Sequence, residues 1–196
     1  ICTDKTGTLT QNEMTVREAW VAGQKLTVTG VGYEPKGEFR PASSAHLIPS
    51  DDLYEALVGA ALCNNAKLVP PHEDKSWTIL GDPTEAALLV AAAKGGVPYE
   101  MTLKRLPRVR ELPFESARKR MSTIHLDGRQ EIAYVKGAPK EVLALCSTLQ
   151  VDGKLVPMTD EWYEQIMAAN DDFARGALRV LAIARRVLPE RPNGYT

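Results

Sequence analysis

The chain has 196 residues, 44% of them hydrophobic and 25% charged, which is the balance of a globular domain with a real core. Its formal net charge of −1 gives no bulk electrostatic reason for a nucleic-acid or acidic-membrane partner. Cys2, Cys63 and Cys146 lie far apart with no CxxC spacing and read as reduced thiols in a cytosolic setting. The longest apolar run, Ala86 to Ala93, is far short of the roughly 18 to 20 residues of a membrane span, and no signal peptide is visible.

In chain order, a short apolar lead ends at Asp4 in "ICTDKTGTLTQ". Residues 13 to 40 read as strands separated by turns, with β-branched residues in "EMTVREAWVAG" and "KLTVTG" and turn formers in "GYEPKGEFRP". A helix is predicted from about Ser50 to Cys63, then a loop, "NNAKLVPPHEDKSWTIL". The following segment, "GDPTEAALLVAAAKGG", has complete helix signals. Asp82 is the N-cap, Pro83 the first helical residue, Glu85 the third residue of a capping box, and Gly95 and Gly96 the stop.

Three strands are predicted over Arg108 to Phe114, Arg120 to Leu126 and Glu131 to Lys136, the last two joined by the hairpin signal Asp127-Gly128-Arg129. A short helix from Pro139, a strand pair around "QVDGKLVPM", a helix from Thr159 to about Arg175 and a final strand "RVLAIARRVL" complete the chain. Hairpin-joined strands imply an α/β fold of the α+β type, an antiparallel sheet flanked by helices.

Asp4 carries the chemistry. An aspartate is a weak nucleophile unless its target is electrophilic and its charge is offset, and a phosphoryl group held by magnesium meets both needs. Lys5 adds positive charge, while Thr6, Gly7 and Thr8 offer donors to phosphate oxygens. Phosphatases built on an aspartate nucleophile usually carry a second aspartate two residues on, as the acid for the leaving group. Here that residue is Thr6, so an aspartyl-phosphate should persist rather than hydrolyse.

The run "DKTGTLT" resembles the phosphorylation motif of P-type ATPases, the cation pumps that pass through an aspartyl-phosphate. "GDPTEAAL", "FESARKRMS", "VKGAP" and "LRVLAIA" follow in the order and rough spacing of that family's nucleotide-binding domain. The resemblance covers nearly all of residues 1 to 188. The family's TGD-like segment, its GDGxNDxP loop and its membrane helices do not occur in the sequence. The resemblance therefore implies a piece of a pump: residues 1–14 as first strand and hinge of the phosphorylation domain, 15–190 as the nucleotide-binding domain, and 191–196 as the exit.

What the resemblance implies residue by residue is an ATP site. It makes Asp4 the phosphoacceptor, assisted by Lys5 and Thr6, with Asp4 and the Thr6 backbone carbonyl as magnesium ligands in the full-length protein. It makes Phe114 the aromatic on which adenine stacks, Met121 its neighbour beside the base, and Glu85 an acceptor for the adenine amino group. Lys119 would reach the phosphates, Lys136 and Gly137 would line the pocket wall, Arg179 would lie near ribose and phosphates, and Leu181 would be an apolar wall. Lys140 stands where the family usually has glutamate. Between Lys104 and Arg120, seven basic residues face two acidic ones, a field that would suit a polyphosphate.

The implied partners are ATP and ADP and the phosphorylation, actuator and transmembrane domains of the parent chain. The piece itself is expected to be monomeric on the cytoplasmic side of a membrane, to bind no nucleic acid, and to bind ATP without turnover. Neither His46, His72 nor His125 precedes a proline, which disfavours the heavy-metal branch. "TGVGYEPKGEF" looks like the calcium-pump-like bacterial members, so calcium is the first expectation, ahead of sodium, potassium or magnesium. The alternatives are an aspartate-nucleophile phosphatase with a large cap and a nucleotide-binding module without a pump.

Overall fold

The computed structural model describes residues 13–43, 50–72 and 76–189. Asp4, Lys5 and Thr6, and with them the phosphorylation motif, lie outside the described residues.

The first element of the described residues is a hairpin, β1 (Glu18–Val21) and β2 (Gln24–Val28), to which β3 (Phe39–Pro41) adds antiparallel. Helix α1 (Ser50–Leu62) follows as expected. The segment read as a loop instead contains a two-stranded ribbon, β4 (Lys67–Val69) paired with β5 (Thr78–Leu80). Three-residue strands are too short to display an alternating pattern. Helix α2 (Pro83–Lys94) has the expected ends. The Asp82 side chain accepts from the Thr84 and Glu85 amides, and the Gly95 amide closes the last turn on the Ala91 carbonyl.

A helix absent from the sequence reading, α3 (Tyr99–Arg105), comes next; it is two turns long, and its N-cap, Pro98, supplies no side-chain bond. It holds through packing on α1 and α2. The main sheet is then laid down by β6 (Arg108–Glu115), β7 (Arg120–Asp127) and β8 (Gln130–Gly137). The hairpin between β7 and β8 pairs Asp127 with Gln130. After α4 (Pro139–Leu143), the ribbon β9 (Thr148–Val151) and β10 (Lys154–Pro157), and α5 (Asp160–Arg175), strand β11 (Ala182–Val187) returns to the sheet. The order is β11-β8-β7-β6, all antiparallel.

Helix α1 lies against β8 and β11. Its Gly59 makes the close approach possible, since a Cβ there would sit 2.8 Å from Ile183 Cγ2 and 3.2 Å from the Tyr134 ring. Leu57, Leu62, Cys63, Leu89, Val90, Met121 and Tyr134 join in one buried cluster between helices and sheet. Helix α5 meets the first hairpin through an edge-on contact of Trp162 with Trp20, at 6.4 Å between ring centroids. The β9–β10 turn is tied to α1 by buried Asp52, whose carboxylate accepts from Gln150 Nε2 and from the Asp152 and Gly153 amides at 2.7–3.0 Å. Cys63 and Cys146 are free thiols. Among the described residues no helix is long and apolar enough to cross a membrane.

Candidate functional site

One end of the sheet opens into a cavity of about 660 Å³, within the range of small-molecule sites. Its wall is assembled from four separated stretches of chain. Asp82, Thr84, Glu85 and Leu88 come from the start of α2; Phe114, Lys119 and Met121 from the β6–β7 hairpin; Lys136, Gly137 and Ala138 from the end of β8; and Arg179, Val180 and Leu181 from the approach to β11. All eight residues to which the sequence reading gave nucleotide contacts are brought to this one cavity. Asp82, singled out only as a cap, joins them. Thr84, Leu88, Ala138 and Val180 were missed, although Thr84, Ala138 and Val180 each adjoin a named residue.

Phe114 reaches the cavity because β6 is irregular. Leu112 pairs with Ser122, but the next pair is Glu115 with Arg120, a register shift that leaves Pro113 and Phe114 unmatched. Such a bulge re-aims side chains, and Pro113 has no amide to lose from the ladder. Phe114 consequently stays 62% exposed, which sets it apart from a core phenylalanine such as Phe39 or Phe173.

Met121 and Lys136 stand directly opposite each other across β7 and β8, so both side chains leave the same face of the sheet. Lys136 is a buried cation, and its Nζ donates to Glu85 Oε1 at 2.6 Å. The other Glu85 oxygen accepts from the Asn65 amide at 2.9 Å. This corrects the capping-box expectation in one half: Asp82 caps the helix, but the Glu85 carboxylate does not turn back to the cap and bonds instead to Lys136 and Asn65. Each carboxylate oxygen keeps a second lone pair. Asn65 is in turn gripped by Glu111 and Arg108, at 2.7 and 2.6 Å. No sequence signal pointed to Asn65.

Gly137 is required by a close approach. A Cβ there would fall 2.4 Å from the Lys119 carbonyl oxygen and 2.8 Å from Arg120 Cα. The same carbonyl accepts from the Ala138 amide at 3.0 Å, which stitches the β6–β7 turn to the end of β8. Lys119 itself adopts a left-handed backbone with φ 49°.

The basic run between Lys104 and Arg120 is not an open field. Arg108 bonds Glu111, Asn65 and two backbone carbonyls, Arg118 pairs with Glu115, and Lys119 pairs with Glu141 at 2.8 Å. Of the seven residues, Lys119 is the one that lines the cavity. The Lys119 ammonium holds the Glu141 carboxyl below its usual range. Across the cavity Arg179 Nη1 donates to Thr84 Oγ1 at 3.1 Å. The first amides of α2 are already taken by Asp82, so this helix end offers no vacant anion site of the kind helix N-termini often provide. Among the described residues no cluster of three or more His, Cys, Asp or Glu side chains could hold a metal ion.

A four-stranded antiparallel sheet flanked by helices, with an apolar-floored and cation-edged cavity at one end, defines an α/β domain with a cavity of small-molecule size. The chain belongs to the P-type ATPase family: residues 52–196 match the model of the P-type ATPase cytoplasmic domain N. It is 37% identical over 195 residues to a cation-transporting ATPase of Synechocystis, covering 96% of this chain and 21% of that protein. It is 38% identical over 188 residues to a calcium-transporting ATPase of Bacillus subtilis, covering 95% and 21%, and 36% identical over 196 residues to calcium-transporting ATPase 1 of Lactococcus lactis, covering 100% and 20%. The chain thus spans about a fifth of the length of these relatives.

Proposed function

We propose that this cavity binds ATP and that the chain presents the γ-phosphate to Asp4 within a cation-transporting pump. The observation that carries the reading is the convergence of Glu85, Phe114, Lys119, Met121, Lys136, Gly137, Arg179 and Leu181, distant in sequence, on one cavity. The adenine stacks on the exposed Phe114 ring beside Met121, and its amino group donates to a remaining lone pair of Glu85. Gly137 lets the ring come against backbone. Lys119 and Arg179 face the ribose and phosphates, and Leu181 closes the apolar side.

In the pump an Asp4 carboxylate oxygen attacks the γ-phosphorus, and the bond to the bridging oxygen breaks as ADP leaves. Magnesium, assigned by resemblance to Asp4 and the Thr6 carbonyl, would offset charge on the transferring group. Residues 1–14 then act as strand and hinge of the phosphorylation domain, with 15–190 as the nucleotide-binding domain and 191–196 as the return. Calcium is the cation proposed, since two of the relatives compared carry that name and "TGVGYEPKGEF" resembles the same branch.

Affinity for ATP should be weak, on the order of 0.1–1 mM or about 4 to 5.5 kcal/mol, because one stacked ring in an open site must still meet the cost of association. The test is nuclear magnetic resonance titration of the 196-residue chain with ATP, followed by incubation with labelled ATP and magnesium. The expected result is shifts centred on Phe114, Lys136 and Gly137, with no label at Asp4, since the family's GDGxNDxP loop is not in this sequence. Shifts clustered elsewhere would overturn the site, and steady Asp4-dependent phosphate release would overturn the absence of turnover.

A further inference from the structure

Three cations edge the cavity, and they are held in different ways. Lys136 is paired with Glu85, with side-chain exposures of 8% and 15%. Arg179 bonds the neutral Thr84 hydroxyl. Lys119 is paired with Glu141, and here the exposures are 59% and 27%. The difference governs what each cation offers a ligand. Removing one partner of a buried pair strands the other charge in low dielectric, so Lys136 stays with Glu85. A solvated pair is worth little and is readily exchanged, so Lys119 is free to leave Glu141 for a stronger anion.

Glu141 does not line the cavity. It sits in the first turn of α4, immediately past the Gly137–Ala138 segment to which the Lys119 backbone is stitched. Because that backbone is fixed by the Ala138 amide and by the Lys119 amide on the Glu115 carbonyl at 2.7 Å, the lysine has one side chain's reach between two positions. One is against Glu141, and the other is over the cavity it lines.

We propose that Glu141 is a positioning and specificity residue that competes with the terminal phosphates for Lys119, so that it sets how far the site favours nucleoside triphosphate over monophosphate. The proposal rests on the nucleotide reading of the cavity. In the structure Lys119 rests on Glu141. A triphosphate draws the ammonium across, and a monophosphate, whose charge is close to the ribose, does not. Glu141 thereby holds triphosphate affinity down, and the lysine has a defined resting place when the ligand departs.

The experiment is calorimetric or resonance titration of the 196-residue chain with ATP, ADP and AMP, in the parent and in Glu141→Gln, Lys119→Ala, the double variant and Phe114→Ala. Glu141→Gln should tighten ATP by roughly two- to fivefold, the range spanned by exposed ion pairs, with ADP less affected and AMP unchanged. That gain should vanish in the Lys119→Ala background, and raising salt should shrink it. A gain in affinity for one nucleotide is a result that loss of structure cannot imitate.

If the gain persists without Lys119, the carboxylate acts directly on the phosphates and the positioning role is refuted. If Glu141→Gln leaves the ATP-to-AMP ratio of the parent while Phe114→Ala weakens all three nucleotides, the inference fails and the nucleotide site stands. If Phe114→Ala changes nothing, the cavity is not the nucleotide site and both fall together.

Discussion

The Lys136 ammonium lies 2.6 Å from Glu85 Oε1, while Oε2 of the same carboxylate accepts from the Asn65 amide at 2.9 Å. This buried pair joins the end of the central strand β8 to the first turn of α2, so it fixes the two walls of the cavity against each other. Lys136→Met should therefore lower stability by about 3–5 kcal/mol, the usual cost of stranding one member of a buried pair. Glu85→Leu with Lys136→Met should recover much of that loss, because no unpaired charge remains. Urea denaturation measures both; a single variant as stable as the parent would show that the pair contributes nothing net.

Gly137 has no room for a side chain. A Cβ would press on the Lys119 carbonyl and on Arg120, both backbone-anchored, so Gly137→Val must displace the β6–β7 turn. Overpacking of this kind costs about 1–3 kcal/mol. The variant should lose ATP, ADP and AMP binding alike, since the turn carries both Phe114 and Lys119 toward the cavity. Retention of parent-like affinity for AMP would contradict this.

Phe114 is exposed and held at a bulge, so its truncation should affect binding and leave stability nearly unchanged. Phe114→Ala is expected to weaken all three nucleotides by about 1–3 kcal/mol, the value of a base stacked on an aromatic ring. Lys119→Ala should weaken ATP more than AMP. Equal losses for the two nucleotides in Lys119→Ala would place the lysine at the base instead.

His125 is wholly buried, with Nδ1 2.8 Å from the Leu106 carbonyl and Nε2 3.0 Å from Thr123 Oγ1. The carbonyl can only accept, so Nδ1 carries the proton, while Nε2 faces the Thr123 hydroxyl, which itself donates to the Leu62 carbonyl at 3.4 Å. Burial pushes the imidazole pKa below its ordinary 6.5. The unfolded chain therefore takes up a proton before the folded one does. This contribution to stability is complete above about pH 6.5 and is lost as pH falls toward the depressed folded value. Urea midpoints between about pH 7.5 and 5 should drop in the parent and drop less in His125→Gln; equal slopes would reassign the effect to other groups.

Helix α2 was legible because its signals are local. Asp82, Pro83 and Gly95 act within a few residues of themselves, and the β7–β8 hairpin follows from Asp127 and Gly128 for the same reason. The family, too, was readable in "DKTGTLT" and the motifs behind it. Helix α3 and the β4–β5 ribbon were not legible, since α3 lacks a side-chain cap and three-residue strands lack a pattern. Helix α3 depends on packing against α1 and α2, and the ribbon on its own pairing and on contact with α2.

Sequence alone determined the antiparallel α/β class and the set of residue types at the site. Only the folded chain decided their pairings. Whether Glu85 would turn to its own helix cap or to Lys136, 51 residues on, depends on where β8 delivers that lysine. Whether Lys119 would stand free in the basic run or pair with Glu141, 22 residues on, depends on where the chain places α4. Charge interactions at a few ångströms are set by distance, and between residues far apart in sequence distance is a property of the tertiary structure.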